Sequence, residues 1–139
     1  MSAIYSTAAV STGDGREGQV RTIDGQVQLD LAMPRELGGA GGATNPEQLF
    51  ALGYSACFHS ALKRVAQLEK ITVTDSAVTA EVGLEKVDTG MALTVALHAE
   101  LSGVDQATAE SLMAKAHALC PYSAAVKGNV DVTLDVVVG

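Results

Sequence analysis

From residue 48 to residue 62 the chain runs fifteen residues without a charged side chain, directly behind Thr44-Asn45-Pro46-Glu47. That tetrapeptide is a strong helix start. Thr44 and Glu47 have capping-box spacing; alternatively Asn45 caps and Pro46 takes the first helical position. The pattern predicts a helix over 46–68. Between 49 and 62 its apolar residues surround the axis, so the helix is expected to be buried on nearly all sides. The run is shorter than the ~18 residues of a membrane span, and Gly53, Ser55, His59 and Ser60 interrupt it. A chain of 139 residues is mostly surface, yet only 18% of its residues are charged while 47% are hydrophobic. This apolar surplus points to a subunit interface and excludes intrinsic disorder.

Strand patterns lie on both sides of the helix. Val27, Leu29, Leu31 and Met33 alternate with Gln28, Asp30 and Ala32, the period of a half-buried strand. Gly13-Asp14-Gly15 and Asp24-Gly25 read as hairpin turns. Val78, Ala80, Val82 and Leu84 form a second alternating run. Asp88-Thr89-Gly90 turns the chain, and a return strand carries Met91, Leu93, Val95, Leu97, Ala99 and Leu101. Asp105 is placed to cap a second helix in which Leu112, Met113, Ala116, Leu119 and Cys120 share a face, with Pro121 as its stop. A valine-rich strand from Val130 to Val138 closes the chain. The order β-β-β-α-β-β-α-β implies one α+β domain over residues 1–139.

Nine Lys and Arg against sixteen Asp and Glu leave a net charge of −7, and Trp is absent. Both argue against a nucleic-acid partner. The start, Met1-Ser2-Ala3-Ile4-Tyr5, lacks the basic and apolar regions of a signal peptide. The expectation is a cytoplasmic protein that does not enter a membrane, in which any pairing of Cys57 and Cys120 is transient and catalytic.

The glycines at 38, 39, 41 and 42 lack the Gly-Lys-[Ser/Thr] ending of a phosphate-binding loop and the third glycine of a dinucleotide fingerprint. They read as a pliable connection. Cys57-Phe58-His59 and His117-Ala118-Leu119-Cys120 do not have structural zinc spacings. Residues 57 and 59 also point about 200° apart on a helix, so no metal is expected. His59, His98 and His117 read as polar-face or satisfied core residues. Cys57 is either an inert core thiol or a nucleophile. The second role needs nearby positive charge, because an apolar site raises a thiol's pKa. Of the four arginines, Arg16 is the one in a glycine-flanked loop, Gly13-Asp14-Gly15-Arg16-Glu17-Gly18. It is either a solvated turn residue or that charge. Glu47 is either a dipole-favoured acid in a first helical turn or a carboxylate holding an arginine by a bidentate bond. Tyr122-Ser123, after Pro121, reads as a turn.

The segment Asn45-Pro46-Glu47-Gln48-Leu49-Phe50-Ala51-Leu52-Gly53-Tyr54-Ser55-Ala56-Cys57-Phe58 resembles the organic hydroperoxide resistance proteins, within the wider family of osmotically inducible protein C. Cys120-Pro121-Tyr122-Ser123, followed by Gly128-Asn129, carries a second signature. The loop around Arg16 resembles the family's arginine loop, and Pro34-Arg35-Glu36-Leu37-Gly38-Gly39 also fits. One departure is Ala124-Ala125-Val126-Lys127, where relatives commonly carry a more polar segment with arginine. The resemblance implies an intertwined homodimer, with β-sheets of both subunits wrapped around central helices. It implies a peroxidase for organic hydroperoxides with Cys57 as the peroxidatic and Cys120 as the resolving thiol. Arg16 and Glu47 are then the activating pair. It also implies a lipoyl dithiol, on a lipoylated protein or as dihydrolipoamide, as external reductant, with no bound cofactor. Phe50, Tyr54, Phe58 and Met33 are the candidate apolar surroundings for a greasy peroxide. Two alternatives stay open: the osmotically inducible branch with broader specificity, and a non-catalytic dimer that binds an apolar ligand.

Overall fold

The central strand of the larger sheet shows most directly how sequence pattern becomes structure. In the computed structural model, which describes residues 2–139, β4 (Asp75–Val87) and β5 (Gly90–Ser102) form a long antiparallel hairpin. The turn falls at Asp88-Thr89, as the sequence predicts. Along β5, Val95, Leu97, Ala99 and Leu101 are buried while their neighbours are more open, because successive side chains point to opposite faces. The last strand, β6 (Val132–Val138), lies parallel to β5, with Val95 opposite Val132 and Leu101 opposite Val138. A parallel neighbour needs a crossover. Here it is supplied by α2 (Gln106–Leu119) and a short α3 (Pro121–Val126). Asp105 caps α2 by accepting the Thr108 N–H at 2.8 Å.

The buried face of α1 (Pro46–Leu68) is Tyr54, Phe58, Ala61, Leu62, Val65 and Ala66. These residues join Leu112, Met113 and Ala116 of α2 and the inner face of the sheet in one core. The helix bounds match the sequence expectation. The all-round burial does not hold within one chain: Leu52 is 64% exposed, and Ala56 and Ser60 are exposed on the same side. The sheet and α2 cover one side of α1 only. Leu119 is also open rather than core-facing.

The chain divides into two compact units, one ending at Leu49 and the other running over Phe50–Gly139. The first holds a three-stranded antiparallel sheet, β1 (Ala9–Thr12), β2 (Gln19–Thr22) and β3 (Gln28–Asp30). The expected strand through Met33 is cut short. Leu31 still donates its N–H to Gly18 and bridges Thr44. Pro34 then has no N–H for a ladder, and a single 3-10 turn, Arg35–Leu37, follows. Val27 is 44% exposed and lies before the strand. The observed architecture is α+β, with α3 added to the expected order. No helix among the described residues is long and apolar enough to cross a membrane.

Candidate active site

Cys57 sits on α1 beside the buried Tyr54 and Phe58 and is itself partly exposed. Cys120 lies in the break between α2 and α3. Proline disfavours helical backbone in the residue before it, and Cys120 accordingly has φ −67 and ψ 124. Its N–H still closes α2 onto the Ala116 carbonyl at 2.8 Å, while its own carbonyl accepts from Ala124. Pro121 therefore ends one helix and opens another as its first residue, so Tyr122 and Ser123 are helical rather than a simple turn. This placement buries the Cys120 side chain completely. Both thiols are free, and Cys120 donates to the Cys57 sulfur across 3.5 Å. Burial pushes the Cys57 thiol up from its ordinary pKa, the Tyr122 backbone N–H works the other way, and Cys120 adds to the rise.

Around the sulfurs the polar groups are paired. Tyr54 and Ser123, both buried, meet hydroxyl to hydroxyl at 2.6 Å. The Ser123 oxygen also lies 2.8 Å from His117 Nδ1. Burial pushes the Tyr54 phenol up in pKa, against the Ser123 bond, which lowers it. Phe50, Tyr54 and Tyr122 form a triangle of tilted rings with centroids 5.7–6.4 Å apart. Gly53 permits that packing, since a Cβ there would lie 2.9 Å from the Tyr122 hydroxyl oxygen and 3.1 Å from the ring. Phe58 is fully buried in the core. His59 bonds Ser76 at 2.8 Å, and His98 lies between Asp135 and Glu81.

The first unit carries the other two polar candidates. Arg16 stands in a 3-10 turn, Gly15–Glu17, between β1 and β2. Glycine is required just after it, because a Cβ on Gly18 would fall 2.2 Å from the Thr12 carbonyl oxygen. Glu47 lies in the first turn of α1. The cap there is Asn45, which accepts the Gln48 N–H at 2.9 Å, while Thr44 bonds the Gln48 side chain. With no capping box to serve, Glu47 binds Arg16 through two bonds, 2.9 and 2.6 Å. The guanidinium holds the Glu47 carboxyl below its usual range, and the carboxylate raises Arg16. Met33, also in this unit, is half-buried and accepts the Gly41 N–H through its carbonyl.

A pH dependence follows from this pair. The folded-state pKa of Glu47 is depressed, so its contribution to stability is present above the unfolded value of about 4.3 and is lost as pH falls through the folded value. Arg16 is 38% exposed, which holds the pair to about 1 kcal/mol or less. Urea unfolding of wild type and Glu47→Gln is expected to differ at neutral pH and to converge as pH falls through the depressed folded-state pKa of Glu47.

The structure thus brings Cys57 to Cys120 and Arg16 to Glu47. It adds Ser123, His117 and Tyr122, which in the sequence alone read as turn and polar-face residues. Their signal was the proline of Cys120-Pro121-Tyr122-Ser123, which predicts a break but not what the break presents.

Residues 39–135 match the family model described as OsmC-like protein. An organic hydroperoxide resistance protein of Bacillus subtilis is 48% identical over 143 residues, spanning 98% of this chain and 99% of that one. A solved organic hydroperoxide resistance protein from Legionella pneumophila superposes with a TM-score of 0.94 at 57% identity, over 97% of this chain and 98% of that one. Another, from Elizabethkingia anophelis, gives 0.95 at 42% identity over the whole of both chains. With the likeness running nearly end to end and including both cysteine segments, the chain belongs to the OsmC-like family, among its organic hydroperoxide resistance proteins.

Proposed function

We propose that the protein is a cysteine-based peroxidase that reduces organic hydroperoxides to alcohols through a Cys57–Cys120 disulfide. The observation that carries this reading is the pair of reduced thiols with sulfurs 3.5 Å apart, one open to an incoming molecule and the other sealed from it. The Cys57 thiolate attacks the terminal hydroperoxide oxygen. The O–O bond breaks, Cys57 becomes a sulfenic acid, and the alkoxide takes up a proton to leave as alcohol. Cys120 then attacks the oxidised sulfur: an S–S bond forms, the S–O bond breaks, and the thiol proton leaves with the hydroxyl as water. An external dithiol of the lipoyl class returns two electrons and two protons and becomes a cyclic disulfide.

Only the thiolate reacts, and burial alone makes Cys57 a weaker acid. In this reading Arg16, oriented by Glu47, supplies the positive charge that reverses the trend, and it stabilises the oxygen that departs with negative charge. Of the apolar candidates, Phe50 is half-buried with its ring packed edge-on to Tyr54 and Tyr122, Met33 is half-buried within the first unit, and Tyr54 and Phe58 are buried in the core. A homodimer is supported by apolar side chains left open on one chain: Ile23, Leu52, Leu119 and Val137 are each about half exposed or more.

The test compares cumene hydroperoxide with hydrogen peroxide, using dihydrolipoamide or a monothiol as donor. The organic peroxide is expected to have the higher kcat/KM by about tenfold or more, the discrimination an apolar contact supplies, and only the dithiol is expected to sustain turnover. Equal rates with both peroxides remove the organic assignment, and equal rates with both donors remove the dithiol.

A further inference from the structure

The steps just described make no use of the polar chain beside the sulfurs. Tyr54 stands three residues before Cys57 in α1, His117 three before Cys120 at the end of α2, and Ser123 three after Cys120 in α3. Residues three apart on a helix are surface neighbours, so Tyr54 and Cys57 lie on adjoining turns of α1. One hydroxyl, that of Ser123, meets both Tyr54 and His117, at 2.6 and 2.8 Å. A hydroxyl offers one proton and two lone pairs. With His117 Nδ1 as acceptor, the chain runs from the Tyr54 O–H to Ser123 and from the Ser123 O–H to His117. Ser123 is only 2% exposed and Tyr54 is fully buried, so the bond between them is shielded from water. Among the described residues no buried side-chain nitrogen or oxygen lacks a partner. The Tyr122 ring seated against Gly53 makes a second, apolar docking point between α1 and the Cys120 segment.

We propose that Ser123 is a positioning residue for the disulfide-forming step. By holding Tyr54 and His117 at once, its hydroxyl locks the helix that bears Cys57 against the segment that bears Cys120. It thereby keeps the sulfurs within closing distance. The proposal rests on the peroxidase reading and deepens it. A disulfide needs the sulfurs at about 2.05 Å, so the pair must close further from 3.5 Å after Cys57 has gained a hydroxyl group. Cys120 must approach that sulfur opposite the oxygen it displaces. Removing the Ser123 hydroxyl strands the buried Tyr54 phenol and frees the two segments to drift. Peroxide attack on Cys57 does not depend on that register, whereas condensation with Cys120 does.

Full-length wild type, Ser123→Ala, Ser123→Thr and Tyr54→Phe are followed through a single turnover with cumene hydroperoxide. Sulfenic acid is trapped with dimedone, and the disulfide and sulfinic acid are quantified by mass spectrometry. In Ser123→Ala, sulfenic acid is expected to form within about twofold of the wild-type rate, while disulfide formation slows by roughly tenfold or more, the effect of losing one buried bond. Sulfinic acid accumulates as a result. Ser123→Thr restores the disulfide rate, and Tyr54→Phe, which keeps its volume, slows it in the same direction. If Ser123→Ala fails to fold, Tyr54→Phe and Ser123→Thr decide. Disulfide formation at the wild-type rate in the folded hydroxyl-lacking variants overturns the proposal, as does equal slowing of both steps. A wild type that forms no sulfenic acid overturns the peroxidase reading itself.

Discussion

Cys57→Ser is expected to reduce hydroperoxide turnover by roughly 10³-fold or more, a loss of about 4 kcal/mol of transition-state stabilisation, with little change in the unfolding midpoint. The substitution is nearly isosteric, and Cys57 is only partly buried at the edge of the α1 core face, so the core around Tyr54 and Phe58 is left intact. The chemistry is not conserved. A serine hydroxyl does not ionise near neutral pH, and its oxygen lacks the polarisable lone pair that opens an O–O bond. The measurement is consumption of cumene hydroperoxide under single-turnover conditions, beside a thermal melt. Undiminished activity in a folded Cys57→Ser protein removes the thiol mechanism, whereas a wild type that consumes no hydroperoxide leaves the binding-protein alternative standing. In that alternative both native thiols would also be inert to peroxide and to a thiol-labelling reagent.

What could be read in the chain before its structure follows a physical line. Patterns carried by neighbouring residues were legible: the bounds of α1, the Asp105 cap, the Asp88-Thr89 turn and the alternation along β5. Each depends on local periodicity or on one side chain meeting nearby backbone. The extent of α1 burial is only half visible in one chain, because an uncharged helix calls for cover without saying which chain provides it. The strand through Met33 was overextended, because alternation continued past the point where Pro34 removes the ladder. In the site, Cys57 and Cys120 stood out only through their motif context. Their 3.5 Å approach joins positions sixty-three residues apart, and no local rule encodes such a contact. The two readings of Glu47 were separable only after Asn45 took the cap and left the carboxylate for Arg16. Ser123 stands in the second signature, but its role is illegible there for the same reason: a hydroxyl after Pro121 has no evident partner until Tyr54 and His117 are seen on either side of it.

Cys120→Ser separates the two halves of the proposed cycle. The first oxidation is expected to survive, since the nucleophile Cys57 and the Arg16–Glu47 pair are untouched. The hydrogen bond and charge of Cys120 add to the upward push that burial gives the Cys57 thiol, so removing Cys120 does not weaken the attacking thiolate. The second step has no substitute. Cys120 is fully buried, and among the described residues the chain has no other free thiol to take its place. Cys57 sulfenic acid should therefore persist and, under excess peroxide, climb irreversibly to sulfinic acid. Wild type should instead stop at the disulfide. Steady-state turnover with dihydrolipoamide should collapse within the first few cycles. Intact mass after one and then several equivalents of cumene hydroperoxide reads the outcome. A mass gain of one oxygen that advances to two identifies the unresolved Cys57, whereas a stable variant that cycles as fast as wild type shows that Cys120 is not the resolving thiol.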